Sequence, residues 1–124
     1  MLLEDLTQRI LKTSFQVSNE LGSGFLESVY ENALLVALRD EGMRASSQVP
    51  LKVPFRGVIV GHFVADVVVE DKVLVELKAL KALAPEHVAQ FLNYLKATKI
   101  EVGLLINFGN PKLEYRRFNN RFDC

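Results

Sequence analysis

From Leu3 to about Leu21 the apolar residues Leu3, Leu6, Ile10, Val17 and Leu21 recur at the three-and-four spacing that lines one side of a helix. Gly22-Ser23-Gly24 breaks the pattern and predicts its end. A second helix is predicted from about Phe25 to Glu41, with Val29, Ala33, Leu34, Ala37 and Leu38 as a broad apolar face, Gly24 as its cap and Gly42 just past its end. The period then drops to two. Val49, Leu51, Val53 and Phe55 alternate with Pro50, Lys52 and Pro54, which predicts a half-buried strand, and the prolines place it at a sheet edge or a bulge. Val58 to Val69 and Val73 to Leu77, separated by the polar Glu70-Asp71-Lys72, predict a hairpin. Val67-Val68-Val69 is apolar towards both faces, as in a strand covered on both sides. Pro85 suits the first turn of a helix running to about Thr98, with Val88, Phe91, Leu92 and Leu95 buried. A strand at about Val102 to Asn107 follows, then a turn at Gly109-Asn110-Pro111, and Leu113 to Phe118 is a final strand or an extended tail. The predicted order is α-α-β-β-β-α-β with an optional last β. The strands flanking the third helix are expected to pair in parallel through a right-handed crossover.

Composition narrows the class. A chain of 124 residues with 49% hydrophobic and 24% charged residues predicts one folded domain, 1–124, and excludes disorder. No apolar run reaches the roughly 18 residues of a membrane span, and the first residues carry Glu4 and Asp5 where a secretory signal would be basic, so a cytoplasmic location is expected. Cys124 is the single cysteine, which removes intrachain disulfides and cysteine-based zinc sites. Net charge is zero, but residues 1–42 hold seven acids against three bases and residues 43–124 hold eight against twelve. Ordinary scatter accounts for this split on charge alone, and it leaves room for a phosphate-facing surface only on the later part.

Candidate chemistry comes from charges set in apolar strands. Asp66 interrupts the run Phe63 to Val69, and Glu76 interrupts Val73 to Leu77. Glu76 and Lys78, two apart, share a strand face. If the hairpin register brings Asp66 beside Glu76, two carboxylates would be in reach of one divalent cation, a hard-oxygen arrangement suited to magnesium or manganese. A partly buried ion-pair network with a purely structural role gives the same pattern. Glu27 shares a helix face with Tyr30 and Glu31 and offers a third carboxylate, although a carboxylate near a helix start also serves as a cap. His87, Gln90 and Tyr94 line a stripe of the third helix. Gln90 and Tyr94 can supply neutral hydrogen bonds to a phosphate or water, although by themselves they more often mark a solvated helix face with the tyrosine packed on its edge, and a lone histidine at a helix start is more often a capping or surface residue.

Taken in order, Gly24-x-x-Glu27-x-x-Tyr30, Asp66, Glu76-Leu77-Lys78 and Gln90-x-x-x-Tyr94 resemble the GxxExxY family of small bacterial and archaeal proteins within the PD-(D/E)XK nuclease superfamily. The likeness runs from about Leu6 to Phe108. It implies an α/β restriction-endonuclease-like core, a mixed β-sheet flanked by helices. By the same resemblance Asp66 and Glu76 are metal ligands for Mg2+ or Mn2+, Glu27 completes the metal site, Lys78 orients or activates water, and Gln90 and Tyr94 help position the substrate backbone. The implied activity is metal-dependent phosphodiester hydrolysis in nucleic acid, with DNA expected first and RNA left open. Ala65 stands where the superfamily has its namesake proline, which is not a ligand. The alternative is a non-catalytic nucleic-acid-binding or partner-binding module on the same fold. A chain this small also leaves room for a homo-oligomer or a protein partner.

Overall fold

A computed structural model of the chain describes residues 3–120, so Cys124 lies outside the described residues. Its elements are α1 (Glu4–Leu21), α2 (Glu27–Asp40), β1 (Ala45–Phe55), β2 (Val58–Val69), β3 (Val73–Lys78), α3 (Pro85–Thr98), β4 (Val102–Asn107) and β5 (Glu114–Asn119). The strands form one mixed sheet in the order β1-β2-β3-β4-β5. β3 and β4 are parallel, as expected for strands joined through α3, and the other pairs are antiparallel.

The sheet separates two apolar layers. On one face α1 and α2 bury Ile10, Val17, Tyr30, Leu34 and Leu38 against Val67, Val69, Val73, Val75, Val102 and Leu104. On the other, α3 sets Phe91 and Leu95 against Ala65, Val68, Leu74 and Leu105. This explains why the central strands are apolar on both faces: every residue of β4 is buried. Along α1, Thr13 and Ser14 are buried as well, and each hydroxyl donates to the carbonyl four residues earlier (Arg9 and Ile10, both 2.8 Å), so no polar atom is stranded.

Two boundaries differ from expectation. β1 begins at Ala45 rather than Val49, because the polar segment Ser46-Ser47 pairs with Val68 and Val67 despite lacking an apolar alternation of its own. α2 begins at Glu27 with the extended Leu26 as its cap, so Gly24 is not the cap and Glu27 is the first helical residue rather than the third. Gly24 has φ +113°, a loop conformation that glycine tolerates, two residues before that cap.

β1 is an edge strand, and its pairing with β2 shifts between Val53 and Pro54, as the prolines imply. A second irregularity falls nearer the middle. Ala65 and Val68 pack on the same side of the sheet although three residues apart, while Val67 packs on the other. β2 therefore reverses its facing at Asp66. β1 does the same where Gln48 adopts φ +50°, since Ala45 packs towards α1 and α2 but Val49 towards α3.

Candidate active site

The reversal at Asp66 coincides with the point where β2 and β3 part. Their last paired residues are Val67 and Val75, one step before Asp66 and Glu76. In place of a ladder bond, the Leu77 N–H donates to Asp66 Oδ2 at 2.8 Å. The carboxylate thus caps the opening between the strands and fixes its own position. Glu76 and Lys78 follow on β3, on one face as their spacing requires, with Lys78 Nζ 3.7 Å from Glu76 Oε2. Both side chains are largely covered, 12% exposed for Glu76 and 21% for Lys78.

Glu27 reaches the same notch from the start of α2, and the motif around it explains how. The Tyr30 hydroxyl, on a fully buried ring, donates to Gly22 O at 2.6 Å and accepts from the Phe25 N–H at 3.2 Å. That clamp closes the α1–α2 connection, and Gly24 supplies the φ the connection needs. The Tyr30 ring stacks on Phe108 with centroids 4.9 Å apart, and the Phe108 N–H donates to Lys78 O at 2.8 Å. Tyr30 and Gly24 therefore tie the first residue of α2 to the end of β3.

A further carboxylate enters from the next turn of α2. Glu31 is only 9% exposed, and Gln48 Nε2 donates to both of its oxygens at 3.0 and 2.9 Å. Glu31 was legible as a helical neighbour of Glu27, four residues on. Gln48 lies in a polar stretch without periodicity and carries no signal in the sequence.

The electrostatics of the notch are one-sided. Burial raises the carboxyls of Glu27, Glu31, Asp66 and Glu76 above their ordinary values. The Asp66 charge pushes the three glutamates further up, while Lys78 pulls Glu27, Asp66 and Glu76 back. The Leu77 N–H also favours ionised Asp66, and Gln48 favours ionised Glu31. Three carboxylates thus share one lysine, and the fourth, Glu31, has only the neutral Gln48.

Gln90 and Tyr94 come from the helix on the other face of the sheet. Gln90 is exposed on α3, and Tyr94 lies flat on Phe63 of β2 with centroids 4.1 Å apart, three residues before Asp66. No hydrogen bond among the described residues joins either to the carboxylates. His87 is a cap, its Nδ1 accepting the Ala84 N–H at 3.0 Å.

The donors present are oxygens only. Among the described residues no group of three His, Cys, Asp or Glu side chains converges closely enough to hold an ion unaided. That arrangement fits a hard cation such as Mg2+ or Mn2+, which takes one or two carboxylates and completes its shell with water and substrate phosphate. It does not fit zinc, which favours nitrogen and sulfur ligands in a closed tetrahedron.

A mixed sheet with helices on both faces and a carboxylate-lysine notch where two central strands part defines a restriction-endonuclease-like fold, and comparison with known proteins bears this out. The crystal structure of SSO0001 superposes with a TM-score of 0.60 at 18% sequence identity, over 78% of this chain and 52% of that one. This chain thus spans about half the length of that structure. The family model described as the PD-(D/E)XK nuclease superfamily matches residues 4–118, and the chain belongs to that superfamily. No curated protein matches it. No helix among the described residues is long and apolar enough to cross a membrane.

Proposed function

We propose that the protein is a divalent-metal-dependent nuclease of the GxxExxY branch, using Mg2+ or Mn2+ to hydrolyse phosphodiester bonds, with DNA as the first substrate to test. The observation that carries this reading is the imbalance of the notch, in which Glu27, Asp66 and Glu76 share the single charge of Lys78 while Glu31 beside them is held by the neutral Gln48. A structural network pairs its charges; this one leaves negative charge in a partly dehydrated place, where a cation would relieve it.

Asp66 and Glu76 would hold the metal, with Glu27 at the rim. When bound, the ion would neutralise phosphate charge and make a coordinated water more acidic. Lys78, beside Glu76, supplies a point charge for the developing phosphorane oxygen and orients the water. Glu31 and Gln48 hold the neighbouring wall. Gln90 and Tyr94 line the α3 side as candidates for binding the substrate backbone.

Calorimetric titration with Mn2+ tests the site independently of activity. Saturable binding is expected for the parent protein and lost in Glu76→Gln and Asp66→Asn, with a short oligonucleotide added in a second titration to complete the ion's shell. In a panel of single-stranded DNA, duplex DNA and RNA, Lys78→Ala should then lower cleavage by at least about 100-fold. Absence of Mn2+ binding with and without the oligonucleotide would overturn the proposal in favour of a non-catalytic nucleic-acid-binding module.

A further inference from the structure

Beyond the notch, β1 and β2 continue as a two-stranded ribbon that β3 does not accompany, since the β2–β3 pairing stops at Val67 while the β1–β2 pairing runs out to Phe55 and Val58. The ribbon closes through Arg56-Gly57, both at positive φ (51° and 79°), a tight hairpin turn compatible with strand twist. One of its faces is covered by α3, through Phe63 on Tyr94 and through Val49 and Leu51. The other face is open. It presents the cross-strand pairs Lys52 with His62 and Pro50 with Val64, all exposed, and Val60 beyond them.

The charge on this ribbon has a single sign. From Gly42 to Ala65 the sequence contains no aspartate or glutamate, while Lys52 and Arg56 lie on the ribbon. Among the described residues neither is in an ion pair. Arg56 instead lies over the Phe55 ring, 5.0 Å from its centroid, and Phe55 is 57% exposed at the tip. The strand that carries this face runs directly into Asp66.

We propose that the β1–β2 ribbon is a duplex-binding arm that enters a groove and anchors to phosphates through Lys52 and Arg56, with Val60, Val64 and Phe55 supplying apolar contact to base edges or sugars. A two-stranded ribbon is of a size that the major groove of B-DNA, about 12 Å wide, admits. Eight residues separate Asp66 from Val58, which at about 3.3 Å each places the tip roughly 26 Å from the notch, close to eight base-pair steps. A second copy of the chain is a poorer occupant. Pro50, Pro54 and Lys52 blunt the free edge of β1 against strand addition, and face-to-face stacking would bring Lys52, Arg56 and His62 of two copies together. The inference takes its ligand class from the proposed function but not its chemistry.

The test is fluorescence anisotropy of a labelled 24-base-pair duplex in chelator, where no hydrolysis runs, as a function of salt. The double variant Lys52→Ala/Arg56→Ala is expected to bind about tenfold or more weakly at moderate salt, with a log–log salt slope shallower by about 2, the value for two lost phosphate contacts. Its melting temperature should match the parent, because both side chains are exposed. A variant that binds with parental affinity and slope overturns the inference, as does a parent that fails to bind the duplex. So does a sedimentation result in which the parent is a dimer that Val60→Lys separates, which would make the ribbon a self-association face. If the parent cleaves no substrate with any metal while the double variant still loses binding, the arm stands and the nuclease reading falls. If the parent cleaves and the double variant binds and cleaves as it does, the outcome is the reverse.

Discussion

Asp66 accepts the Leu77 N–H and also faces three glutamates, so what replaces it decides the outcome. Asp66→Asn keeps an acceptor for that N–H, whereas Asp66→Ala leaves it without one at a cost of about 1 to 3 kcal/mol. Denaturant unfolding in chelator should place the two variants apart in that order. Glu76 gives the cleaner test of crowding. Its raised carboxyl pKa means that, as pH climbs from the ordinary glutamate range, the unfolded chain releases its proton before the folded one does. The folded state binds more protons in that window, so stability falls as pH rises through it, and the loss is complete above the folded value. Glu76→Gln abolishes the term. Its melting temperature in chelator should exceed the parent's by a margin that grows as pH rises above the ordinary glutamate range and levels once the folded carboxyl is fully ionised. Added Mn2+ should raise the parent's melting temperature and leave Glu76→Gln unmoved. A Glu76→Gln protein that melts below the parent throughout would identify the residue as a structural partner of Lys78. Tyr30 reports on the motif in the same way: Tyr30→Phe keeps the stack on Phe108 but frees the Gly22 carbonyl and Phe25 N–H. It should cost about 1 to 2 kcal/mol and, if Glu27 serves the metal, weaken Mn2+ binding as well.

Elements meet the notch from three directions, and the end of β3 is pinned by a residue that takes no part in the chemistry. Asn107, opposite Lys78 in the β3–β4 ladder, is fully buried. Its Oδ1 accepts from the N–H groups of Leu80 and Gly109 at 2.9 and 3.1 Å, and its Nδ2 donates to Leu80 O and Glu114 Oε1, both at 2.9 Å. This ties the segment after Lys78 to the β4–β5 connection. Asn107→Leu should destabilise by roughly 2 to 4 kcal/mol, because several buried polar groups lose their partners at once. Glycine positions distinguish close packing from chain freedom. A Cβ at Gly103 would lie 2.7 Å from Phe91 Cζ, in the layer between β4 and α3, whereas a Cβ at Gly61 on the ribbon would meet nothing within 4 Å. Gly103→Ala should cost about 1 to 3 kcal/mol by overpacking. Gly61→Ala should be neutral or stabilising by a few tenths to about 1 kcal/mol. Chemical unfolding of the pair would reverse the assignment of a tight α3 interface if the two behaved alike.

Across the whole molecule, stability should be graded from the sheet centre to the ribbon. β4 is buried throughout and paired on both edges, while Val58 and Val60 are 62% and 61% exposed in the stretch of β2 that β3 does not pair. Amide hydrogen exchange should therefore protect residues 102–107 most and release the amides of 58–62 first. Much of this architecture is written in the chain itself. The apolar periods of the helices, the two-sided apolar runs of the central strands and the helix between β3 and β4 determine an α/β sheet with a parallel crossover, because each element buries its own apolar face in only one way. Asp66, Glu76 and Lys78 likewise stand out as candidates, since a charge within an apolar strand demands a partner, whereas Glu27 stands out only through its place in Gly24-x-x-Glu27-x-x-Tyr30. What the sequence leaves open is whatever depends on contacts between distant segments. The polar start of β1 becomes a strand only by pairing with Val67 and Val68, and Gln48 gains its role only when α2 packs on the sheet and brings Glu31 to it. The start of α2 shifts to Glu27 because the Tyr30 hydroxyl holds the preceding loop out of the helix. Local pattern is a property of neighbours along the chain and can be read there. The separation of β2 from β3 at Asp66, which turns scattered carboxylates into one charged notch, is a property of two strands and a helix together, and only the tertiary structure decided it.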